Sequence, residues 1–246
     1  MRTQTVEKIL AKVKNDYNAI AADFDQTRQQ LWPQMFGLKK YVKSGDRLLD
    51  LGCGNGKLRL LLSDAKVDYI GVDNSAKLLE LGRRRKDFQL ASQKFVEAEV
   101  FALPFADNYF DVVFFIAVFH HVPSFDLRLK TLQEIKRVLK PGGRLVMTNW
   151  NRWQKKQLHY IIEAGILKLR GKSELDFKDV FLPWMGGAVK RYYHAFTLGE
   201  LKKLIKKSGL KLEKNFLGYY DDSELKRESR FNYLTAANIV TIAKKC

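Results

Sequence analysis

The sequence predicts an α/β fold in which a mostly parallel sheet is covered by helices on both faces. Short apolar runs alternate with amphipathic segments of helical period along most of the chain. Residues Phe110–Ile116 are apolar almost throughout, the pattern of a strand buried on both faces. The stretch Leu48-Leu49-Asp50-Leu51-Gly52-Cys53-Gly54-Asn55-Gly56 is an apolar run that ends in a carboxylate and breaks into alternate glycines. A buried strand that feeds such a turn places bare backbone where a bulky nucleotide-like ligand can lie. The 246 residues contain no Pro/Gly/Ser-rich linker, so one domain is expected over 1–246.

A helix is expected over residues 6–24, within an N-terminal cover that ends near residue 45. The core, 46–149, opens with a strand at 47–51. Residues 57–63 read as the helix leaving the glycine turn, and 68–72 as a second strand ending at Asp73. A helix over 76–86 is capped by Asn74 or Ser75. Strands follow at 94–98 and 110–116. Leu129, Leu132, Ile135 and Leu139 have helical spacing in 127–139, which Pro141-Gly142-Gly143 terminates before a fifth strand at 144–148. Over 150–196 the alternation is lost among aromatic and basic residues, and an insertion of this length in an α/β domain usually carries specificity. A helix at 198–208 and strands at 210–216 and 237–243 complete the chain, the last two forming an antiparallel edge hairpin.

Forty-four Lys and Arg against 27 Asp and Glu give a net charge of +17. Such an excess favours polyanions through counterion release, and a solvated basic surface is its plainer explanation. Two cysteines, one in the glycine turn and one at position 246, make a metal cluster or a disulfide framework unexpected and point to a reducing compartment. No metal site is expected. No run approaches the length that spans a bilayer, so a cytoplasmic protein without membrane association is expected.

Spacing separates the ligands a glycine turn can hold. A triphosphate loop needs Gly-x4-Gly-Lys-Ser/Thr, which the residues after Gly54 do not supply. A dinucleotide turn prefers Gly-x-Gly-x-x-Gly, whereas here the third glycine comes one residue early and Lys57 takes its place. Asp73 can hold a ribose diol in either class. The pattern Asp50-x-Gly52-x-Gly54-x-Gly56 resembles the cofactor loop of class I S-adenosylmethionine-dependent methyltransferases. Leu103-Pro104-Phe105-Ala106-Asp107-Asn108-Tyr109-Phe110-Asp111 and Arg137-Val138-Leu139-Lys140-Pro141-Gly142-Gly143 resemble that family's entries to strands four and five.

The resemblance implies a Rossmann-like, mostly parallel seven-stranded sheet with an antiparallel C-terminal edge strand, and S-adenosyl-L-methionine as cofactor. It sets Asp50, Gly52, Cys53, Gly54 and Gly56 against the methionine moiety, with Asp73 on the ribose hydroxyls and Asn74 beside it. Glu99 and the Val100 amide would meet the adenine, and Ile116 and Ala117 would flank the sulfonium. Cys53 reads as a small buried side chain rather than a nucleophile, since nothing near it in sequence would activate it.

Two further segments bear on the methyl acceptor. Tyr17-Asn18-Ala19-Ile20-Ala21-Ala22-Asp23-Phe24-Asp25-Gln26-Thr27-Arg28, followed by Trp32-Pro33, is similar to the N-terminal lead of the eukaryotic wobble-uridine tRNA methyltransferases. Asp179-Val180-Phe181-Leu182-Pro183-Trp184 and Arg191-Tyr192-Tyr193-His194-Ala195-Phe196 resemble a late signature of the same family, while Asn149-Trp150-Asn151-Arg152-Trp153-Gln154 departs from it. This implies methyl-ester formation on 5-carboxymethyluridine in a tRNA anticodon loop, aided in the eukaryotic relatives by a small zinc-binding activator that adds to the sheet edge. A carboxylate is anionic at neutral pH and needs no general base. Its site calls instead for an orienting cation or donor, and the candidates are Arg28, His120, Arg191 and His194. A monomer or a heterodimer with the activator is expected. Small-molecule methyl transfer and tRNA binding without turnover are the competing readings.

Overall fold

The computed structural model describes residues 1–27, 33–85, 90, 92–184, 187, 189–221, 224–227, 236 and 238–246. Two helices, α1 (Thr3–Ala19) and α2 (Ala21–Gln26), lead the chain where one was expected, separated at Ile20. The core alternates β1 (Arg47–Leu51), β2 (Asp68–Asp73), α3 (Ala76–Arg84), β3 (Ser92–Glu97), β4 (Phe110–Ile116), α4 (Phe125–Val138) and β5 (Leu139–Trp150). The segment Lys57–Leu62 is 3₁₀ rather than α-helical, as is Pro33–Tyr41. Then come α5 (Leu158–Leu169), β6 (Asp179–Trp184), β7 (Val189–His194), α6 (Leu198–Ser208), β8 (Lys211–Asp221), β9 (Glu224–Arg227) and β10 (Asn238–Lys244).

The main sheet runs β3-β2-β1-β4-β5-β10-β8-β9. Strands β1 to β5 pair in parallel, and β10 enters antiparallel between β5 and β8. The expected C-terminal hairpin is therefore present, with β8 outside β10, and β9 adds an eighth strand to the seven predicted. Strand β5 begins five residues before the predicted fifth strand, and its register against β4 shifts between Phe110 and Val112.

Side-chain alternation on the strands builds two cores. Leu49, Leu51, Val113 and Phe115 face α4 and α6 through Leu132, Ile135, Leu201 and Leu204. Leu48, Tyr69, Val112 and Phe114 face the opposite layer, with Leu58, Leu61, Met35 and Leu38. Helix α3 starts where the Ser75 hydroxyl accepts from the Leu78 amide, which settles the choice between Asn74 and Ser75 as cap. Thr197 caps α6 in the same way.

The segment 150–196 has structure that helical and strand periodicity did not reveal. Helix α5 packs on β6, and β6 and β7 form a separate antiparallel ribbon that pairs Asp179 with His194 and Leu182 with Arg191. Strand β7 in turn meets α1, so the insertion and the N-terminal cover close one end of the sheet together.

Candidate active site

Strand order reverses between β1 and β4, opening a crevice beyond the carboxyl ends of both strands. The first turn is pinned to β2, since the amides of Gly52 and Cys53 both donate to the Val72 carbonyl, at 2.7 and 2.9 Å. Gly52 has φ +71°, and a Cβ there would stand 2.4 Å from Val118. Gly56 has φ +69° and faces Phe95, 2.8 Å from where its Cβ would be. Glycine at Gly56 thus serves packing and the start of the 3₁₀ segment, and this residue does not line the cleft as the resemblance implied.

Ten predicted cofactor residues come together there: Asp50, Gly52, Cys53, Gly54, Asp73, Asn74, Glu99, Val100, Ile116 and Ala117. The cleft encloses about 1100 Å³ with its open mouth included. Asp73 accepts from the Gly54 amide on Oδ2 and from the Ser75 amide on Oδ1, both at 2.8 Å. A carboxylate has about four acceptor positions, so two remain for a diol. Burial raises the Asp73 carboxyl against the pull of these amides. Burial also raises Asp50, to about 7, although the Tyr69 hydroxyl donates to it at 2.7 Å. Asn74 donates to the Glu99 carboxylate at 3.2 Å, which keeps that acid at the cleft wall. Bare backbone at Gly54, diol acceptors on Asp73 and an acid at Glu99 fit the parts of S-adenosylmethionine. Cys53 is buried and its thiol is pushed well up, in keeping with a packing role.

The N-terminal cover roofs this loop. Phe24 lies 3.4 Å from where a Cβ on Gly54 would sit, Asn55 donates to Asp25 at 2.6 Å, and Ser75 donates to Asn18 at 2.8 Å.

The other end of the cleft holds Tyr17, His121, Trp150 and Arg191. The Tyr192 carbonyl lies 2.7 Å from His121 Nδ1, so that nitrogen carries the hydrogen and Nε2 accepts. The Tyr17 hydroxyl donates to Nε2 at 2.8 Å and accepts from Arg191 Nη1 at 3.3 Å. Burial, with Arg191 nearby, lowers His121 to about 3. Arg191 is 5% exposed and Arg152 6%, and Trp150 and Tyr193 offer both guanidinium groups an aromatic face. Burial pulls Arg152 down to about 10, leaving it charged at neutral pH. Arg191 Nε, Arg152 Nε and Arg152 Nη2 have no hydrogen-bond partner among the described residues, and neither arginine forms an ion pair there.

The other predicted acceptor residues lie elsewhere. His120 is fully buried behind the wall, stacked on Trp150 and Tyr193, and its neighbour His121 faces the cleft instead. His194 is away from the cleft, its Nδ1 2.5 Å from Asp179 and its Nε2 2.7 Å from Glu200. Asp179 also pairs with Arg128 at 3.2 Å, and Arg128 donates to the Tyr192 hydroxyl at 3.0 Å. Burial pushes Glu200 up, but His194 and Lys178 outweigh it and hold the carboxyl at about 2. This buried set fastens the β6–β7 ribbon to α4 and α6. Arg28 lies outside the described residues. Tyr17 and Arg152 were not singled out from sequence, and of the His120-His121 pair only His120 was kept as a candidate. Tyr17 opens the N-terminal signature but lies within a helix whose periodicity does not show what it faces, and His121 adjoins a named histidine just past the end of β4. Among the described residues no three His, Cys, Asp or Glu side chains are grouped to hold a metal, and no helix is long and apolar enough to cross a membrane.

His121 should leave a mark on acid stability. Its folded value, about 3, lies below the ordinary 6.5, so its contribution is complete above pH 6.5 and is lost as pH falls towards 3. His121→Asn is expected to flatten the fall in unfolding free energy by up to about 1.4 kcal/mol per pH unit in that window. Urea titrations between pH 4.5 and 7.5 check this, and parallel curves for the two proteins would contradict it.

The family described as "Methyltransferase domain" matches residues 49–147. The chain is 29% identical over 215 residues to the tRNA (carboxymethyluridine(34)-5-O)-methyltransferase of Schizosaccharomyces pombe, covering 78% of this chain and 86% of that one. It is 30% identical over 200 residues to a protein of Encephalitozoon cuniculi with a methyltransferase name, covering 80% and 85%. Its fold matches a SAM-dependent methyltransferase from Methanosarcina mazei at TM-score 0.69 and 21% identity, over 88% of this chain and 98% of the other. With the glycine turn, Asp73 and Glu99 gathered at the switch point of such a sheet, the chain belongs to the class I S-adenosylmethionine-dependent methyltransferases.

Proposed function

We propose that this enzyme methylates the carboxylate of a 5-carboxymethyl-type uridine at the wobble position of tRNA, forming a methyl ester. The observation that carries the reading is the buried Arg191 guanidinium in the cleft wall, with that of Arg152 packed on the same Trp150 and Tyr193 rings, since the free N–H groups of both meet no carboxylate among the described residues. Uncompensated buried cations are costly unless an anion joins them, and a carboxylate matches the guanidinium fork. S-adenosylmethionine supplies an electrophilic methyl group on its sulfonium. Arg191 holds the acceptor carboxylate, Trp150 and Trp184 stand within 6 Å of that guanidinium as stacking surfaces, and Ile116 to Val118 exclude water from the wall between the two ends.

No residue is required to remove a proton. This suits His121, whose one acceptor nitrogen is already occupied by the Tyr17 hydroxyl. Lys202, Lys203, Lys206 and Lys207 form the exposed face of α6 and offer cations to phosphates. A small zinc-binding activator would add to β3, which ends the sheet on the side opposite β9. Small-molecule acceptors are disfavoured because they leave the charge excess and the insertion without a role.

Incubation with methyl-labelled S-adenosylmethionine and bulk tRNA that contains carboxymethyluridine is expected to label the tRNA, and mild alkali to release the label as methanol. Label that survives alkali, or none transferred in the presence or absence of the activator, would overturn the esterification reading. Filter binding at several salt concentrations adds a separate check, since tRNA affinity should fall steeply as salt rises.

A further inference from the structure

The cleft contains a hydrogen-bonded chain that the reaction itself does not use. It runs from Arg191 Nη1 to the Tyr17 hydroxyl, on to His121 Nε2, and from His121 Nδ1 to the Tyr192 carbonyl. Its direction is set at the far end, where a carbonyl can only accept. The His121 lone pair is therefore turned towards Tyr17, and the hydroxyl hydrogen is committed to it. The oxygen of Tyr17 then presents only lone pairs to Arg191. The half-buried ring has Phe24 and His121 edge-on to it, at 5.7 and 5.4 Å, and these contacts hold the hydroxyl between Arg191 and His121.

One consequence concerns the shape of the guanidinium site. With Nη1 bound by Tyr17, the edge formed by Nε and Nη2 is left without a partner among the described residues, and Nε is fully buried. That edge has the spacing of a carboxylate's two oxygens. Trp184, at 5.1 Å, and Tyr17 itself, at 5.8 Å, hold aromatic faces near the same group. A long arginine side chain otherwise keeps several rotamers, and fixing one of them is what makes the fork ready before the acceptor arrives.

We infer that Tyr17 is the positioning residue of the acceptor site: its hydroxyl, oriented by His121, locks Arg191 with the Nε–Nη2 edge free for an acceptor carboxylate. This rests on the carboxylate reading above for the identity of the acceptor, but the lock itself can be observed without RNA. Because Tyr17 belongs to the cover that also roofs the cofactor loop through Asn18 and Asp25, it ties the acceptor fork to the element closing the cofactor end.

The test uses Tyr17→Phe, which keeps the ring and its packing, with Arg191→Lys and the double variant. In nitrogen–proton NMR of the full chain without RNA, the arginine Nε–H resonance that disappears in Arg191→Lys is expected to be resolved and slow to exchange with water. In Tyr17→Phe it should move into the bulk arginine envelope. In methyl transfer to carboxymethyluridine tRNA, Tyr17→Phe is expected to raise KM about tenfold with kcat changed less than threefold. Its effect should vanish in the Arg191→Lys background, and S-adenosylmethionine affinity by calorimetry should stay within about twofold. An unchanged Arg191 resonance in Tyr17→Phe would overturn the lock. Losses that multiply in the double variant would overturn the positioning role, and so would an equal loss of cofactor affinity. If the resonance moves as expected but the wild-type enzyme transfers no alkali-labile methyl to tRNA, the lock stands and the carboxylate reading fails.

Discussion

Arg191→Met is expected to lower kcat/KM for carboxymethyluridine tRNA by a hundredfold or more, while S-adenosylmethionine affinity stays within about twofold. Methionine fills much of the arginine's volume, so the aromatic surround of Trp150, Trp184 and Tyr193 keeps its packing. What is lost, on the proposed reading, is a charge-assisted, two-point contact to a guanidinium that is itself buried, and the loss of such a partner costs about 3 kcal/mol. Since 1.4 kcal/mol is a factor of ten, that corresponds to roughly a hundredfold. The complementary variant is Asp73→Ala, which removes the carboxylate proposed to hold the ribose diol at the other end of the cleft. It is expected to weaken cofactor binding and leave tRNA affinity nearly unchanged. Calorimetry for the cofactor and filter binding for tRNA separate the two. An equal loss of both affinities in either variant would mean that the cleft is not divided into these two ends.

The second large effect concerns folding. Asp179→Asn is expected to destabilise the protein by about 3–5 kcal/mol, the cost of breaking a buried ion pair. Asp179 is fully buried, and one of its oxygens serves both Arg128, at 3.2 Å, and His194, at 2.5 Å, while the other accepts from the Asp176 amide at 3.1 Å. An amide keeps the shape but leaves the Arg128 guanidinium, 2% exposed, without its counter-charge. Urea denaturation should show a lower midpoint at unchanged slope. Because this set fastens the ribbon that carries Arg191, a fraction of the loss should reappear as weaker tRNA turnover even where the protein is fully folded. A loss below about 1 kcal/mol would show that the ribbon is held by its apolar contacts instead.

His194 shows how far residue type alone leads. A histidine directly after two tyrosines and three positions from an arginine has the composition of an acceptor site. In the fold it belongs to this structural set, because alternation along β7 sends Arg191 and His194 to different faces of the ribbon. His120 and His121 pose the same problem: they are adjacent, and only the turn after β4 decides which ring meets the cleft.

The core of the fold was legible for local reasons. Strands β1 and β4 fall at their predicted bounds because both are apolar runs ended by sharp signals, and α6 does so because a threonine cap and a glycine stop bracket it. The segment 150–196 was not, since a two-stranded ribbon half covered by α5 has neither a two-faced apolar run nor a clean helical stripe.

By itself the sequence determined the parallel core, the chemistry of the donor, and ten residues that the fold gathers in one cleft. Those features depend on short-range patterns: strand, glycine turn, acid at the next strand end. Tertiary structure alone decided which partners meet Arg191 at the end of the cleft proposed for the acceptor, because Tyr17 and Arg191 are 174 residues apart and meet only when α1 and the β6–β7 ribbon close over the same end of the sheet. No periodicity records a contact of that separation. The proton direction in the chain from Tyr192 to Arg191 likewise exists only once a backbone carbonyl and an arginine of β7, a histidine of the turn after β4 and a tyrosine of α1 are packed in one line.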